Sequence, residues 1–303
     1  MIKRTIFIGN PSKLHCENNQ LLIEQKPLPD ANTTMGSVPI EDIGIVIIDN
    51  PQISITTALF NQLMENNVAV VTCDKKHHPQ GLMLPYVGNS LLSERYKYQI
   101  ESSEPLKKQL WQQIVVSKIR NQAFVLENLG LDAKPMRIWS NEVASGDTRN
   151  LEGVAAAWYF DRIFMEFIVK FKRSRDGDAP NNILNYMYAI IRAAIARAIV
   201  GAGLLPALGV HHRNKYNPFC LADDLMEPFR PFADQMALQL IVNGFPISEL
   251  NTALKRELLG ILTVDVIISG NKSPLFNGTQ KLVDSLVNVF KGEKRKLELP
   301  SFI

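Results

Sequence analysis

The sequence predicts an α+β chain, with a small N-terminal β domain over residues 1–88 and a larger all-helical domain over residues 89–303. Two observations predict this. Short β-branched runs, such as IGIVIIDN and VAVVTCD, are confined to the first part; such continuous apolar runs read as buried strands. From PLKKQLWQQIVVSKIRNQAFVLENLG onward, apolar residues recur at helical spacing. The character changes at Gly88, which places the boundary near residues 88–95.

The elements follow in order. RTIFIG is a short strand, and KLHCENNQLLIEQK reads as a hairpin with its turn at Glu17–Asn18–Asn19. SITTALFNQLMENN predicts a helix capped by Ser54, with Ala58, Leu59, Leu63 and Met64 on one stripe. QGLMLPY predicts a last strand that ends at a proline. The first long helix opens at Pro105, carries Leu106, Leu110, Trp111, Ile114 and Val115, and stops at Gly130. Beyond it only helices and loops are expected. The helical segments are NLEGVAAAWYFDRIFMEFIVKF, NNILNYMYAIIRAAIARAIVGAG, FADQMALQLIVNG, SELNTALKRELLGIL and TQKLVDSLVNVFKGEKRK, followed by an extended tail, LELPSFI.

Composition excludes several classes. Hydrophobic residues make up 46% and charged residues 21%, as in ordinary globular chains. A net charge of +3 neither demands nor excludes a polyanionic partner, so any nucleic-acid surface must come from local clustering. Three widely spaced cysteines, Cys16, Cys73 and Cys220, form no disulfide framework and point to a reducing cytoplasm. The apolar run at the N-terminus is too short for a signal peptide. No uncharged apolar stretch of about 18 residues exists, so no membrane span is expected.

Chemistry concentrates in GVHHRNKYNPFCLADDLMEPFRP, residues 209–231. His211 and His212 are adjacent and point in different directions, so one of them serves a given site. Asp224 and Glu227 stand three apart, on one face of a helix start. Asp223 is placed to cap that helix, and Pro228 falls in its opening turns. The acids there are also explained by the helix dipole alone. Upstream, Glu152 opens a helix rich in small residues, Gly153 and Ala155–Ala157, beside Arg149 and Asn150. Asp147 or Asn150 serves as its cap. One histidine with several carboxylates makes an oxygen-rich set that suits Mg2+ or Mn2+ better than zinc. Hard cations of this kind serve phosphodiester chemistry, and His211, Arg213, Lys215 and Arg230 are cations placed to hold phosphates.

The same stretch resembles the signature of the CRISPR-associated spacer-acquisition integrase, the universal adaptation endonuclease, and most closely its type II-like branch. NLEGVAAAWYF resembles that family's upstream glutamate motif. NNILNYMYAIIRAAIARAIVGAGLLPALG is similar to the helix leading into its histidine loop, and VPIEDIGIVIIDN and VVTCDKKHHPQGLMLPY are similar to its β domain. The resemblance implies that Glu152, His212 and Glu227 are the catalytic metal ligands, with Mg2+ or Mn2+ as cofactor. His212 is preferred over His211 because it ends a Gly-x-x-His element. Many relatives outside this branch carry aspartate where Glu227 stands. Asp224 is implied as an auxiliary ligand or orienting group, with His211, Arg149 and Arg230 as further auxiliaries. The implied activity is attack of a DNA 3′-hydroxyl on a repeat phosphodiester. The implied partners are double-stranded DNA, a second copy of the chain through the β domain, a small ferredoxin-like adaptation protein and other type II adaptation proteins. A general nuclease for branched DNA and a non-catalytic DNA-binding scaffold are the rival readings.

Other motifs are weaker. CDKKHHPQG offers one Cys and two His, too few for a zinc site, and reads as a turn between strands. KFKRSRD, with Lys170, Lys172, Arg173 and Arg175, is either a solvated face or a phosphate contact. Tyr186 and Tyr188 are expected in the helical core, with stacking against a DNA end as the weaker alternative.

Overall fold

The computed structural model describes residues 3–25, 35–168, 171–174 and 177–303. The fold is α+β, and the chain divides into two compact units, Met1–Leu92 and Ser93–Ile303.

The first unit holds two four-stranded sheets. In one, β1 (Arg4–Ile8), β5 (Ile43–Ile48) and β7 (Ala69–Cys73) run parallel, and β8 (Pro79–Met83) closes the edge antiparallel to β7. Strand β5 is buried on both faces, as its unbroken IGIVII requires. In the other sheet, β2 (Ser12–Glu17) and β3 (Gln20–Gln25) form the predicted hairpin. Asn18 and Asn19 turn it with φ of 49° and 60°, a left-handed pair that asparagine tolerates. Two strands absent from the sequence reading complete this sheet, β4 (Met35–Pro39) beside β3 and the two-residue β6 (Ser54–Ile55) beside β2. Because Ser54 lies in β6, it does not cap the helix. Thr56 does, accepting from Leu59 N at 3.3 Å, and α1 runs Thr57–Glu65. Leu59 and Leu63 enter the core with Leu14, Leu21 and Ile43, whereas Ala58 stays exposed.

The second unit is built on α3 (Glu104–Asn128) and α6 (Asn181–Gly201). Ser103 caps α3, Pro105 sits in its first turn, and Gly130 follows its end at φ 70°. One stripe of α3, Trp111, Ile114, Val115, Lys118 and Ile119, is buried. It packs against α5 (Leu151–Phe160), α7 (Cys220–Met226), α8 (Arg230–Val242) and the 3-10 turn Glu227–Phe229. α6 packs against α7, α8, α9 (Thr252–Leu259) and α10 (Leu275–Phe290). Its apolar residues are spent on this core: 78% of its most apolar window is buried. Tyr186 and Tyr188 belong to that core, so neither can stack on a DNA end.

Three expectations are corrected here. The second unit is not purely helical, because β9 (Asp265–Ile268) and β10 (Asn271–Pro274) form a hairpin, and Ser301 of the tail bridges to Ile267. Two helices were not foreseen, α2 (Leu92–Ile100) and α4 (Lys134–Glu142). α5 stops at Phe160, and 161–167 are turns that bury Ile163 and Phe164.

Candidate active site

The histidine loop is wrapped around one carboxylate. Asp224, fully buried in α7, accepts from the backbone N–H of Val210 at 2.7 Å, of His211 at 2.9 Å and of His212 at 3.2 Å. Three successive donors on one anion form a charge-assisted nest. Gly209 is required because the loop closes so tightly: a Cβ there would lie 2.6 Å from His212 O and 2.7 Å from Asp224 Oδ2. Asp224 Oδ1 also meets His212 Nδ1 at 2.5 Å. That contact fixes the Nδ1 proton and leaves Nε2 as the outward nitrogen. The Asp224 hydrogen bond raises the His212 pKa above its ordinary value, against the opposing effect of burial. His211 turns away and stacks on Trp111, with ring centroids 4.1 Å apart and planes 2° from parallel, and burial lowers its pKa. Trp111 also meets the His212 ring edge-on, with centroids 5.7 Å apart, so it packs against both histidines.

Glu227 starts the 3-10 turn after α7 and is buried. Its Oε1 pairs with Arg230 Nε at 2.8 Å and its Oε2 accepts from Lys118 Nζ at 2.5 Å. Burial alone would raise its pKa; Arg230 and Lys118 reverse that and hold it ionised. Lys118 also donates to Glu152 Oε1. Two carboxylates from separate elements thus meet on one buried ammonium. Burial lowers the Lys118 pKa, yet the pair of acids raises it overall.

Glu152 lies in the first turn of α5, but the carboxylate that satisfies the helix end belongs to Asp147. Its two oxygens accept from Leu151 N and Glu152 N, each at 2.9 Å. Asn150, in a left-handed conformation at φ 51°, makes no capping bond. The Glu152 side chain is therefore released from capping and directed to Lys118.

The chemistry of the donor set fits a hard divalent cation. It offers two carboxylates facing one positive centre and an imidazole oriented through its other nitrogen by an acid. No three-ligand cage is already gathered among the described residues; the Lys118 ammonium holds the carboxylates instead. Beside His212 a cleft of about 490 Å³ opens, lined by Lys107, Arg213, Asn214, Lys215 and Asn217. Glu104 lines the same cleft and pairs with Arg213 and, at 3.5 Å, with Lys107, so phosphate oxygens would compete with it for those two cations.

The structure brings Glu152 and Glu227 together and places His212 where its charge is coupled to Glu227. Asp224 orients His212 and is spent on the loop, so it does not face the carboxylates as a ligand would. Arg230 braces Glu227. Arg149 pairs with Glu142 at 3.0 Å on the surface and does not join the cluster. Asp223 is no cap: the helix starts at Cys220, and Asp223 pairs with Arg192 at 2.7 Å. Pro228 sits in the 3-10 turn rather than in a helix start. In the basic run, Lys170 and Arg175 lie outside the described residues, and Arg173 is tied to Asn181 and Asn185 of α6. CDKKHHPQG is the β7–β8 turn, with Asp74 Oδ1 accepting from Lys76 N and His78 N.

Sequence reasoning missed Lys118. Its signal was present: it falls four after Ile114 and seven after Trp111, on the apolar stripe of α3. A lysine there must be paired.

The fold is shared with solved structures. One is a casposase bound to integration product, with a TM-score of 0.80 and 21% identity, covering 98% of this chain and 93% of that one. Another is a chain of a Cas6-RT-Cas1–Cas2 complex, with a TM-score of 0.77 and 18% identity, covering 98% of this chain and 36% of that one. The family model for CRISPR associated protein Cas1 matches residues 6–249, and the chain belongs to that family. It is 41% identical over 306 residues to the CRISPR-associated endonuclease Cas1 of Neisseria meningitidis serogroup C (strain 8013), spanning 100% of this chain and 97% of that protein.

Proposed function

We propose that this protein is a metal-dependent DNA endonuclease and integrase of CRISPR adaptation, joining short DNA fragments to the repeat array. The observation that carries the reading is the meeting of Glu152 and Glu227, from separate elements, on one buried positive centre. The endonuclease name of the Neisseria relative and the integration product held by the casposase support the reaction class.

Glu152, His212 and Glu227 would hold Mg2+ or Mn2+, which when bound polarises a phosphoryl oxygen and lowers the pKa of an attacking hydroxyl. The chain's own groups prepare that site. Asp224 keeps the proton on His212 Nδ1, so neutral His212 presents the Nε2 lone pair. Arg230 keeps Glu227 ionised and immobile. Asp147 sets the first turn of α5 and with it the start of the Glu152 side chain. Lys215 lines the cleft for the DNA backbone, and Arg213 and Lys107 would join it by exchanging Glu104 for phosphate. The 3′-oxygen of the fragment bonds to phosphorus as the repeat's own 3′-oxygen leaves, with no enzyme-linked intermediate.

The reading includes a homodimer formed through the first unit, a small ferredoxin-like adaptation protein, other type II adaptation proteins and a cytoplasmic setting. The neighbour solved as a Cas6-RT-Cas1–Cas2 complex supports a Cas2 partner. The test incubates the protein, that partner and a short duplex with a supercoiled repeat plasmid and Mn2+ or Mg2+. Joined product from the wild type, lost by at least 100-fold in Glu152→Gln and in Glu227→Gln, is the expected result. Cleavage without joining would favour a branched-DNA nuclease. Activity untouched by either variant and by chelation would favour a scaffold.

A further inference from the structure

We propose that Lys118 is an internal counterion: it holds Glu152 and Glu227 together while no metal is bound and gives them up when a divalent cation enters. The inference rests on the divalent-metal reading above. Its ground is geometric. The Lys118 ammonium contacts both carboxylates, and its side chain is 7% exposed, against 8% for Glu227 and 26% for Glu152. Lys118 and Glu227 are thus buried together, whereas the His212 side chain is 46% exposed.

Two facing carboxylates left alone would repel one another and draw in water or rearrange. One buried ammonium with three donors satisfies both. Arg230 already occupies the other Glu227 oxygen, so an ion arriving at the oxygens held by Lys118 would meet strong like-charge repulsion in a partly desolvated site. Metal entry must then displace Lys118, and that displacement weakens metal binding. The released ammonium is left buried without its acids, a cost that metal binding has to meet.

Binding of Mn2+ alone to the full-length protein, followed by electron paramagnetic resonance and calorimetry, tests this without any turnover. In Lys118→Met, Mn2+ is expected to bind about 10-fold more tightly than in the wild type. Melting without metal should come at a lower temperature, and added Mn2+ should raise it more than in the wild type. Equal or weaker Mn2+ binding by the variant overturns the counterion role. Should Lys118→Met not fold without metal, recovery of its fold on adding Mn2+ supports the proposal. Failure of both Lys118→Met and Lys118→Gln to recover overturns it. If wild type and Glu152→Gln bind Mn2+ alike, or neither binds it, the divalent-metal reading itself falls, a result distinct from failure of the counterion role.

Discussion

Gly209 shows how one residue without a side chain fixes the chemistry of another. A methyl at that position would press on His212 O and on the Asp224 carboxylate, both near 2.6–2.7 Å. Gly209→Ala should therefore lower integration activity at least 10-fold while Glu152, His212 and Glu227 all remain. The check is the plasmid assay beside a thermal melt showing a folded protein. Asp224→Asn tests the nest directly. An amide carries only one acceptor oxygen and sets its own N–H groups against backbone donors. A loss of about 2–4 kcal/mol in denaturant unfolding is expected. The pH behaviour has a definite sign. Because Asp224 raises the His212 pKa above 6.5, their pairing stabilises the fold fully below about 6.5 and fades as pH rises through the raised value. A metal-ligating imidazole must be neutral, so activity should climb over that same interval. In Asp224→Asn the acid limb of the pH–rate profile should move to lower pH, and an unmoved limb would rule out His212 as the titrating ligand.

Among the elements, α5 depends on Asp147. Its carboxylate supplies both hydrogen bonds at the N-terminus of the helix, so Asp147→Ala should cost about 1–2 kcal/mol of stability. Loss of the cap should also loosen Glu152, giving a fall in activity larger than the stability change alone explains; parallel unfolding and integration measurements check this. Elements with strong local signals were legible in the sequence. α3 carries its cap, its proline and its closing glycine within its own neighbourhood, and β5 and β7 are unbroken apolar runs. α4 was not, because its buried face is only Met136 and Ser140, one turn apart and one of them polar, too little apolar signal in nine residues. The β9–β10 hairpin has four-residue strands, too short to show a period, although Ser269 and Gly270 supply a left-handed turn at φ 54° and 72°. At the site, Glu152, His212 and Glu227 stood out through the family resemblance of the two motifs that hold them, because the residues of the Glu152 motif alone read equally as a capped helix start. Lys118 and Asp147 did not: Lys118 meets its acids across 34 and 109 residues, a pairing no local pattern encodes, and Asp147 looked like one of two equal caps.

At the scale of the molecule, each unit carries its own core, one around β5 and α1, the other around α6. α6 has the length and apolarity of a membrane span, yet its side chains are satisfied by α7, α8, α9 and α10. Ile191, fully buried at its centre, should be costly to trim: Ile191→Ala is expected to lose about 2–5 kcal/mol, read from urea unfolding. A loss below about 1 kcal/mol would mean that α6 is not the core helix described. The same helix reaches the chemistry through Tyr188. Its hydroxyl bonds to Asp234, and its ring lies under Arg230 at 4.5 Å, the residue that braces Glu227. Burial raises the Asp234 pKa to about 6, so near neutral pH its carboxylate is still mostly ionised beside the brace.

The loop folded over Asp224 has a mechanical consequence. Three consecutive amides and one imidazole grip the same carboxylate, so the path of the chain and the heading of the ring form a single joint. Any substitution that shifts the backbone of this loop must therefore turn the imidazole with it.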